Sequence, residues 1–238
     1  MAGRPLGPRL LAEFLGTGLL VTAVVGSGIA AARLSPGQVG LELFENAAAT
    51  AGALVALILA LGPVSGGHFN PVVTLADRVY GGISSRDATG YIGAQMSGAL
   101  GGVLLANAMF ALPTFQASLK ARSSGPLWLA EVVATFGLVL VIFGVVRSGR
   151  ASAAPFAVAA YIGGAYFFTS STSFANPAVT VGRTLSNTFA GIKPSSAPAF
   201  IAAQLIGGAL AIVVVRCLYP RFGASAADVV VPQRVPAS

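Results

Sequence analysis

Long apolar runs, separated by short polar segments, make up most of the chain. Six of these runs cover residues 10–31, 43–61, 88–111, 127–146, 155–172 and 197–219. A helix needs about 20 residues to cross roughly 30 Å of hydrocarbon, so each run is long enough, or nearly so, to span a membrane. Two shorter apolar runs, 69–80 and 174–189, cannot cross as helices and are typical of re-entrant segments. The pattern predicts an all-α membrane protein with six transmembrane helices and two short re-entrant helices.

The composition agrees with that prediction. Of the 238 residues, 55% are hydrophobic and only 9% are charged. Water-soluble domains carry about 25% charged residues, because their surfaces face water. A soluble enzyme or binding domain is therefore excluded. The net charge of +7 does not indicate a nucleic-acid partner, because no basic patch with interleaved aromatic residues accompanies it.

The charges between the apolar runs predict an orientation. If the chain crosses six times, one face carries Arg4, Arg9, Arg78, Arg86, Arg147, Arg150, Arg216 and Arg221. The other face carries Arg33, Lys120, Arg122, Arg183 and Lys193, together with Glu42 and Glu45. The face richer in arginine is expected to be cytoplasmic, so both termini should lie inside. The first apolar run is expected to stay as a spanning helix, and residues 220–238 are expected to form a flexible cytoplasmic tail.

An internal repeat divides the chain into two halves. The pattern Asn-Pro-x-Val-Thr occurs at 70–74 and again at 176–180, each time between a glutamate in an earlier run and a glutamine in a later one. These four landmarks are Glu13, Gln95, Glu131 and Gln204. Each half, about 8–111 and 127–219, holds three spans, and an odd number forces the second half to enter from the opposite side. The sequence thus predicts an inverted repeat within one channel domain, residues 1–219.

The chemistry of the repeated pattern favours a solute pore. Asn70 and Asn176 are good helix caps, and Pro71 and Pro177 suit the first helical position. Two half-helices that enter from opposite faces would point their positive ends at the middle of the membrane. The side-chain NH2 groups of the asparagines could then face a lumen that repels cations and passes neutral, hydroxylated solutes. Other residues before the two motifs are expected to line this lumen, namely Gly66, Gly67, His68, Thr172 and Phe174.

Other chemistry finds little support. His68 is the only histidine and Cys217 the only cysteine, and neither has the partners that a metal site or a nucleophile needs. We therefore expect no catalytic residues, no metal and no cofactor. A coupled transporter remains an alternative, with Glu13 and Glu131 as the intramembrane carboxylates. A structural membrane protein with a closed pore is a further alternative.

The residues at 65–71, the two Asn-Pro motifs and the Glu and Gln landmarks closely resemble the aquaporin, or major intrinsic protein, family over about residues 8–219. The resemblance implies a right-handed bundle of six helices with two re-entrant half-helices, one pore per protomer, and a homotetramer in the bilayer. It also implies that Glu13, Gln95, Glu131 and Gln204 hold the re-entrant loops in place.

The sequence departs from this family at its outer constriction. Most relatives have arginine directly after the second Asn-Pro-Ala, where this chain has Val179 following Ala178. The remaining constriction positions, assigned by the resemblance, are Thr50, Gly164 and Ser173. All are small, so the expected constriction is wide and without arginine, unless Phe174 replaces Ser173 there. Val72 stands for the usual alanine of the first motif and is expected to affect packing.

These features most resemble unusual bacterial aquaglyceroporins associated with arsenic handling. The resemblance implies a passive channel in a bacterial inner (plasma) membrane that conducts water, glycerol, urea and neutral arsenite. An ordinary water-selective aquaporin or a glycerol facilitator is the alternative. In either case the partners are small neutral solutes and the lipid bilayer, with no nucleic acid.

Overall fold

The computed structural model describes residues 5–220, and every regular element in that range is helical. The α-helices are α1 (Leu6–Leu34), α2 (Val39–Ser65), α3 (Pro71–Tyr80), α4 (Ser85–Met109), α5 (Gly125–Arg147), α6 (Ala154–Phe168), α7 (Pro177–Arg183) and α8 (Ala197–Leu218). Short 3₁₀ turns, Ala151–Ala153 and Pro194–Ser196, precede α6 and α8. The tail predicted to be flexible lies, after Pro220, outside the described residues.

Six helices of the described range are long and apolar enough to cross a membrane, which confirms the predicted spans. The two remaining helices, α3 and α7, are the predicted short segments. The prediction differs most at the second of these, since the apolar run 174–189 yields a helix only over Pro177–Arg183. The residues after Arg183 fold back on the helix end, where the Ile192 N–H donates to the Arg183 carbonyl at 3.3 Å.

The order of the helices follows the inverted repeat. Helices α1 to α4 correspond in sequence order to α5 to α8, and α1 packs along α4 as α5 packs along α8. With six crossings, both ends of the described chain lie at one face of the bundle, which we call the termini face. Helix α3 ends at the termini face, whereas α7 ends at the other, which we call the far face. The two short helices therefore enter the bundle from opposite sides.

The outward surfaces of the long helices are apolar. Large exposed side chains on them include Leu11, Leu15, Leu19, Leu129, Val133, Leu205, Leu210 and Val213. Soluble proteins rarely expose extended apolar surface of this kind, because water penalises it. Together with the six spans, this surface identifies a multi-pass membrane protein.

Glycines allow close helix packing within each repeat. A Cβ atom on Gly98 of α4 would overlap the Phe14 carbonyl of α1, and one on Gly207 of α8 would overlap the Val132 carbonyl of α5. Small residues let helix backbones approach closely in a membrane, where packing rather than water drives association. These crossings bring the glutamate of one helix next to the glutamine of its partner in each half.

The substitution Gly102→Ala is expected to destabilise the bundle. Its methyl group would overlap the Gly18 carbonyl of α1, a backbone atom that cannot move alone. Overpacking of this kind costs about 1–3 kcal/mol, so the thermal midpoint of the detergent-solubilised protein should fall. Gly101→Ala is the matched control, since its added carbon meets nothing within 4 Å. Equal midpoints for the two variants would contradict the packing argument.

Candidate solute pore

Each half-helix begins at an asparagine that caps it. Asn70 Oδ1 accepts a hydrogen bond from the Val72 N–H at 2.9 Å, and Asn176 Oδ1 accepts from the Ala178 N–H at 3.0 Å. The proline that follows each asparagine stands at the first helical turn, where a missing N–H costs nothing. Both asparagines are buried, so the two helices start inside the bundle with their N-terminal ends near one another.

The two asparagines also join the two loops to each other. Asn70 Nδ2 donates to the Ala175 carbonyl at 2.8 Å, and Asn176 Nδ2 donates to the Phe69 carbonyl at 2.8 Å. An amide nitrogen carries two hydrogens, so each asparagine has one N–H left for the cavity that both residues line. The sequence predicts that both hydrogens face the lumen, whereas in the structure one of them holds the opposite loop.

The reciprocal bonds require an unusual backbone at the two loop residues, Phe69 and Ala175, whose carbonyls accept them. Phe69 and Ala175 have φ angles of +46° and +48°, in the left-handed region that non-glycine residues rarely occupy. Such a conformation costs of order 1–3 kcal/mol and persists only where surrounding contacts enforce it. In each loop those contacts come from a buried glutamate.

Glu13 holds the first loop through both of its carboxylate oxygens. Oε1 accepts from the Ser65 hydroxyl at 2.6 Å and the His68 N–H at 3.0 Å. Oε2 accepts from the Phe69 N–H at 2.8 Å and from Gln95 Nε2 at 2.7 Å. A carboxylate can bind several donors at once, so this side chain fixes the backbone on both sides of the His68–Phe69 peptide.

Glu131 does the same in the second half. It accepts from the Phe174 and Ala175 N–H groups, both at 2.9 Å, and from Gln204 Nε2 at 2.6 Å. The repeat therefore gives each glutamate a loop and a glutamine. This arrangement agrees with the scaffold role that the family resemblance implies for these residues.

The threonine that ends each motif has a role that sequence reasoning missed. Gln95 Nε2 also donates to Thr74 Oγ1 at 2.9 Å, and Gln204 Nε2 donates to Thr180 Oγ1 at 2.8 Å. Each glutamine thus links its glutamate, which binds the loop, to the half-helix as well. The signal was present in the sequence, because the threonine recurs in both copies of the pattern.

A cavity runs past both asparagines and the two loops. Its wall is formed by Leu20, Val24, Thr50, Leu54, Ile58, Gly67, His68, Phe69, Asn70, Val73, Leu138, Ile142, Val158, Ile162, Tyr166, Ser173, Phe174, Asn176, Val179 and Arg183. Half of these residues are aliphatic, and most of the polar ones lie near the half-helices. The wall therefore offers carbon-bearing solutes an apolar surface with a few hydrogen-bonding positions.

The predicted lining residues are brought together only in part. Gly67, His68 and Phe174 line the cavity as expected, but Gly66 and Thr172 do not. Both of these residues close a turn after the preceding helix: the Gly66 N–H donates to Gly62, and the Thr172 N–H donates to Thr169. In each half the wall therefore begins one residue later than predicted, at Gly67 and Ser173.

The far end of the cavity contains three of the four predicted constriction residues. Thr50, Ser173 and Val179 line it, and Phe174 lines it beside Ser173 rather than in its place. The prediction for Gly164 is wrong, because this glycine is exposed on the outer side of α6. The same helix presents Ile162 and Tyr166 to the cavity instead, two residues to either side.

The correction at α6 changes the expected width. Tyr166 is buried, and its hydroxyl lies 3.1 Å from Thr50 Oγ1 across the cavity wall. An aromatic ring and its hydroxyl thus occupy the side that a glycine was expected to leave open. The far end is consequently narrower and more polar than four small side chains would make it.

Two further charged residues were not predicted as part of the site. Arg183 lines the far end of the cavity, one helical turn after Val179. Asp77 of α3 is fully buried beneath His68, with Oδ2 3.6 Å from His68 Nε2. The sequence predicts Glu13 and Glu131 as the intramembrane carboxylates, and the structure adds Asp77 to them. Its position on the buried face of a short amphipathic helix is the signal that could have found it.

Six crossing helices, two half-helices that meet at a cavity, and a polar track through that cavity define a transmembrane channel for small molecules. The model of the major intrinsic protein family matches residues 6–173, well over half of the chain. The chain therefore belongs to the major intrinsic protein family, a family of channels, and is not an enzyme. The matched region ends before the second Asn-Pro motif, close to where this chain departs from the usual pattern.

Comparisons with individual proteins agree with this family assignment. Aquaglyceroporin AqpS of Rhizobium meliloti (strain 1021) is 48% identical over 210 residues, which cover 88% of this chain and 89% of that protein. Probable aquaporin NIP4-2 of Arabidopsis thaliana is 33% identical over 150 residues, which cover 62% of this chain and 52% of that protein. The X-ray structure of the aquaglyceroporin from Plasmodium falciparum matches with a TM-score of 0.69 at 18% identity, covering 92% of this chain and 99% of that one. At that identity the match shows the shared fold.

The substitution Glu131→Gln is expected to disturb the second loop. One of the two oxygens that accept the Phe174 and Ala175 N–H groups becomes an NH2 donor, so a buried N–H loses its acceptor. Each such loss costs about 1–3 kcal/mol. Thermal unfolding in detergent should show a lowered midpoint, and solute flux into liposomes should fall.

Glu45→Gln is the matched control for that variant. Glu45 lies on α2 away from the cavity and accepts one hydroxyl, from Ser35 at 2.7 Å, which an amide oxygen can also accept. It should leave both measurements near those of the unmodified protein. If the two variants behave alike, the second loop does not depend on the Glu131 carboxylate.

Proposed function

We propose that this protein is a passive channel for small neutral solutes that carry hydroxyl or amide groups. The observation that carries the proposal is the pair of asparagines, each with one N–H directed to the cavity and the other bound to the opposite loop. A passing solute can exchange hydrogen bonds with water for bonds with these donors. Two helix N-terminal ends and two amide donors at one level disfavour a cation at the same place.

Coupled transport is less well supported. A coupled carrier needs a carboxylate that is free to exchange a proton or an ion at the substrate site. Glu13 and Glu131 are fully buried, and their oxygens accept bonds from loop N–H groups and from glutamines. They serve the scaffold, and neither of them lines the cavity, nor does Asp77, the buried carboxylate beneath His68. A passive pore needs no such exchange.

The solute range follows from the composition of the wall. Glycerol, urea and neutral arsenious acid are compact and bear hydroxyl or amide groups, and we expect them to pass together with water. The aliphatic wall accommodates the carbon face of a polyol, while Thr50, Tyr166 and the asparagines offer hydrogen bonds. AqpS, the relative that is 48% identical, carries the name aquaglyceroporin, which supports conduction beyond water. Strict water selectivity is the alternative.

We further propose the assembly and orientation of the channel. Residues 1–219 form one channel domain, and the apolar exterior suits lipid together with neighbouring copies in a homotetramer. Arginines concentrate at the termini face, including Arg78, Arg147, Arg150 and Arg216. This charge bias favours a bacterial inner membrane location with both termini cytoplasmic.

Reconstituted liposomes test the proposed function. Stopped-flow light scattering should show protein-dependent entry of water, glycerol, urea and arsenious acid, and the rates should not change when a proton or sodium gradient is imposed. Liposomes without protein give the background rate. Absence of protein-dependent flux for every solute would refute the channel, whereas flux of water alone would support the water-selective alternative.

The substitution Val179→Arg tests the assignment of the constriction. A guanidinium at this position would enter a cavity wall already narrowed by Tyr166 and Phe174. Glycerol flux should fall by about tenfold, the effect of a barrier raised by ~1.4 kcal/mol, and water flux should fall less. Val179→Leu, which keeps an apolar side chain, is the control and should retain most glycerol flux. Equal loss of water and glycerol in the arginine variant would show that residue 179 does not set the solute size.

A further inference from the structure

Arg183 brings a positive charge to the cavity wall. The side chain is only 2% exposed, and Arg183 Nε donates to the Ala190 carbonyl of the loop that follows α7. Its guanidinium carbon lies 3.4 Å from the centroid of the Phe174 ring, a stacked contact that arginine forms well. Backbone and ring thus hold the side chain in one position at the far end of the pore.

The two terminal nitrogens of this guanidinium have no hydrogen-bond acceptor in the described part of the chain. Within residues 5–220, the bond to Ala190 is the only hydrogen bond of the Arg183 side chain. Because Nε is occupied, the two terminal nitrogens form the remaining two-donor edge. Such an edge matches the two oxygens of a carboxylate.

A second unpartnered donor lies in the same wall. Ser173 is 3% exposed and lines the cavity, yet its hydroxyl has no hydrogen-bond partner among the described residues. Its φ of +49° places it in the left-handed region, which only a few non-glycine residues of this structure occupy. A buried hydroxyl without a partner is costly unless something binds it.

The surroundings carry positive charge that no carboxylate neutralises by direct contact. Arg122 lies with its guanidinium carbon 5.1 Å from the Phe174 centroid and donates to the Ser171 and Gly191 carbonyls. In the described part of the chain, neither Arg122 nor Arg183 forms an ion pair. Glu131 is the carboxylate that interacts electrostatically with both arginines, but its oxygens already bind the second loop and Gln204.

The positive charges of Arg122 and Arg183 also act on the loop between α4 and α5, outside the spans. Lys120 lies in the segment between α4 and α5, where its ammonium donates to the Phe189 carbonyl at 2.8 Å. Burial, followed by the charges of Arg122 and Arg183, lowers the pKa of Lys120 to about 8. Among the described residues, Lys120, Arg122 and Arg183 therefore lie near the far mouth, and the charge of Glu42 offsets the effect of the two arginines on the Lys120 pKa only in part.

We propose that Arg183 and Ser173 form an oxyanion-binding subsite at the far end of the pore, which takes the carboxylate of a small hydroxylated monoanion. The terminal nitrogens of Arg183 bind the two carboxylate oxygens, and the Ser173 hydroxyl donates a third hydrogen bond. The apolar side of Val179 faces the carbon chain of the same occupant. This subsite deepens the proposed solute channel and rests on it, because the occupant reaches Arg183 through the same far mouth.

Glycerate and glycerol provide a matched pair of probes, because they differ mainly in the carboxylate. Glycerate added outside the liposomes should slow glycerol entry through the unmodified protein. In Arg183→Gln, the glycerate concentration needed for half inhibition should rise by about tenfold or more, since a charged hydrogen-bonding partner is lost. Lys193→Gln, at an exposed basic residue of the same face, should leave this concentration unchanged.

A binding measurement keeps the proposal testable if glycerol does not pass. Saturation-transfer NMR on the detergent-solubilised protein should show glycerate bound to the unmodified protein and to Lys193→Gln, and a signal reduced to background in Arg183→Gln. Ser173→Ala should weaken binding as well. It removes an oxygen that bonds to no described residue, so folding should be preserved even if Arg183→Gln is unstable.

The outcomes separate the two proposals. Absence of protein-dependent flux for every solute, with glycerate binding intact, would refute the channel and leave the subsite standing. Glycerate binding that is equal in the unmodified protein, Arg183→Gln and Ser173→Ala would refute the subsite. So would inhibition of glycerol flux that persists equally in Arg183→Gln, because a general surface charge would then explain it.

Discussion

The reciprocal pair of hydrogen bonds from Asn70 to Ala175 and from Asn176 to Phe69 is the constraint on which the pore depends. Each loop presents its carbonyl from a residue with a left-handed backbone conformation. Each glutamate stabilises that strained conformation by accepting hydrogen bonds from the adjacent N–H groups. The two half-helices are thus held end to end by bonds that neither could form alone. A lumen with one free N–H on each side follows from the same geometry.

The helix crossings place each of those glutamates next to a glutamine of the partner helix. Glu13 of α1 bonds to Gln95 of α4, and Glu131 of α5 bonds to Gln204 of α8, at distances of 2.7 and 2.6 Å. Side chains of this length can meet only where the helix axes approach closely, and glycines at Gly98 and Gly207 remove the side chains that would hold them apart. In each of the two repeats, close helix packing therefore positions the residues that hold the pore loop.

Much of this could be predicted from the sequence, because the relevant signals are local or repeated. Span number follows from apolar length, and the asparagine caps follow from two copies of one short pattern. The side of α6 that faces the cavity could not be predicted in this way, since the helix is apolar all round and its period does not distinguish a lumen from lipid. The error at Gly164, with Tyr166 in the wall instead, has that origin.

Replacement of the usual arginine by Val179 does not remove positive charge from the far end of the pore. The charge moves one helical turn outward to Arg183, where Phe174 and the Ala190 carbonyl hold it against the wall. An arginine beside the second motif would combine width control and charge in a single side chain. In this protein Val179, Tyr166 and Phe174 line the far end of the cavity, while Arg183 carries the charge. In the channel that we propose, size and charge selection can therefore be varied separately, which a single residue at position 179 could not allow.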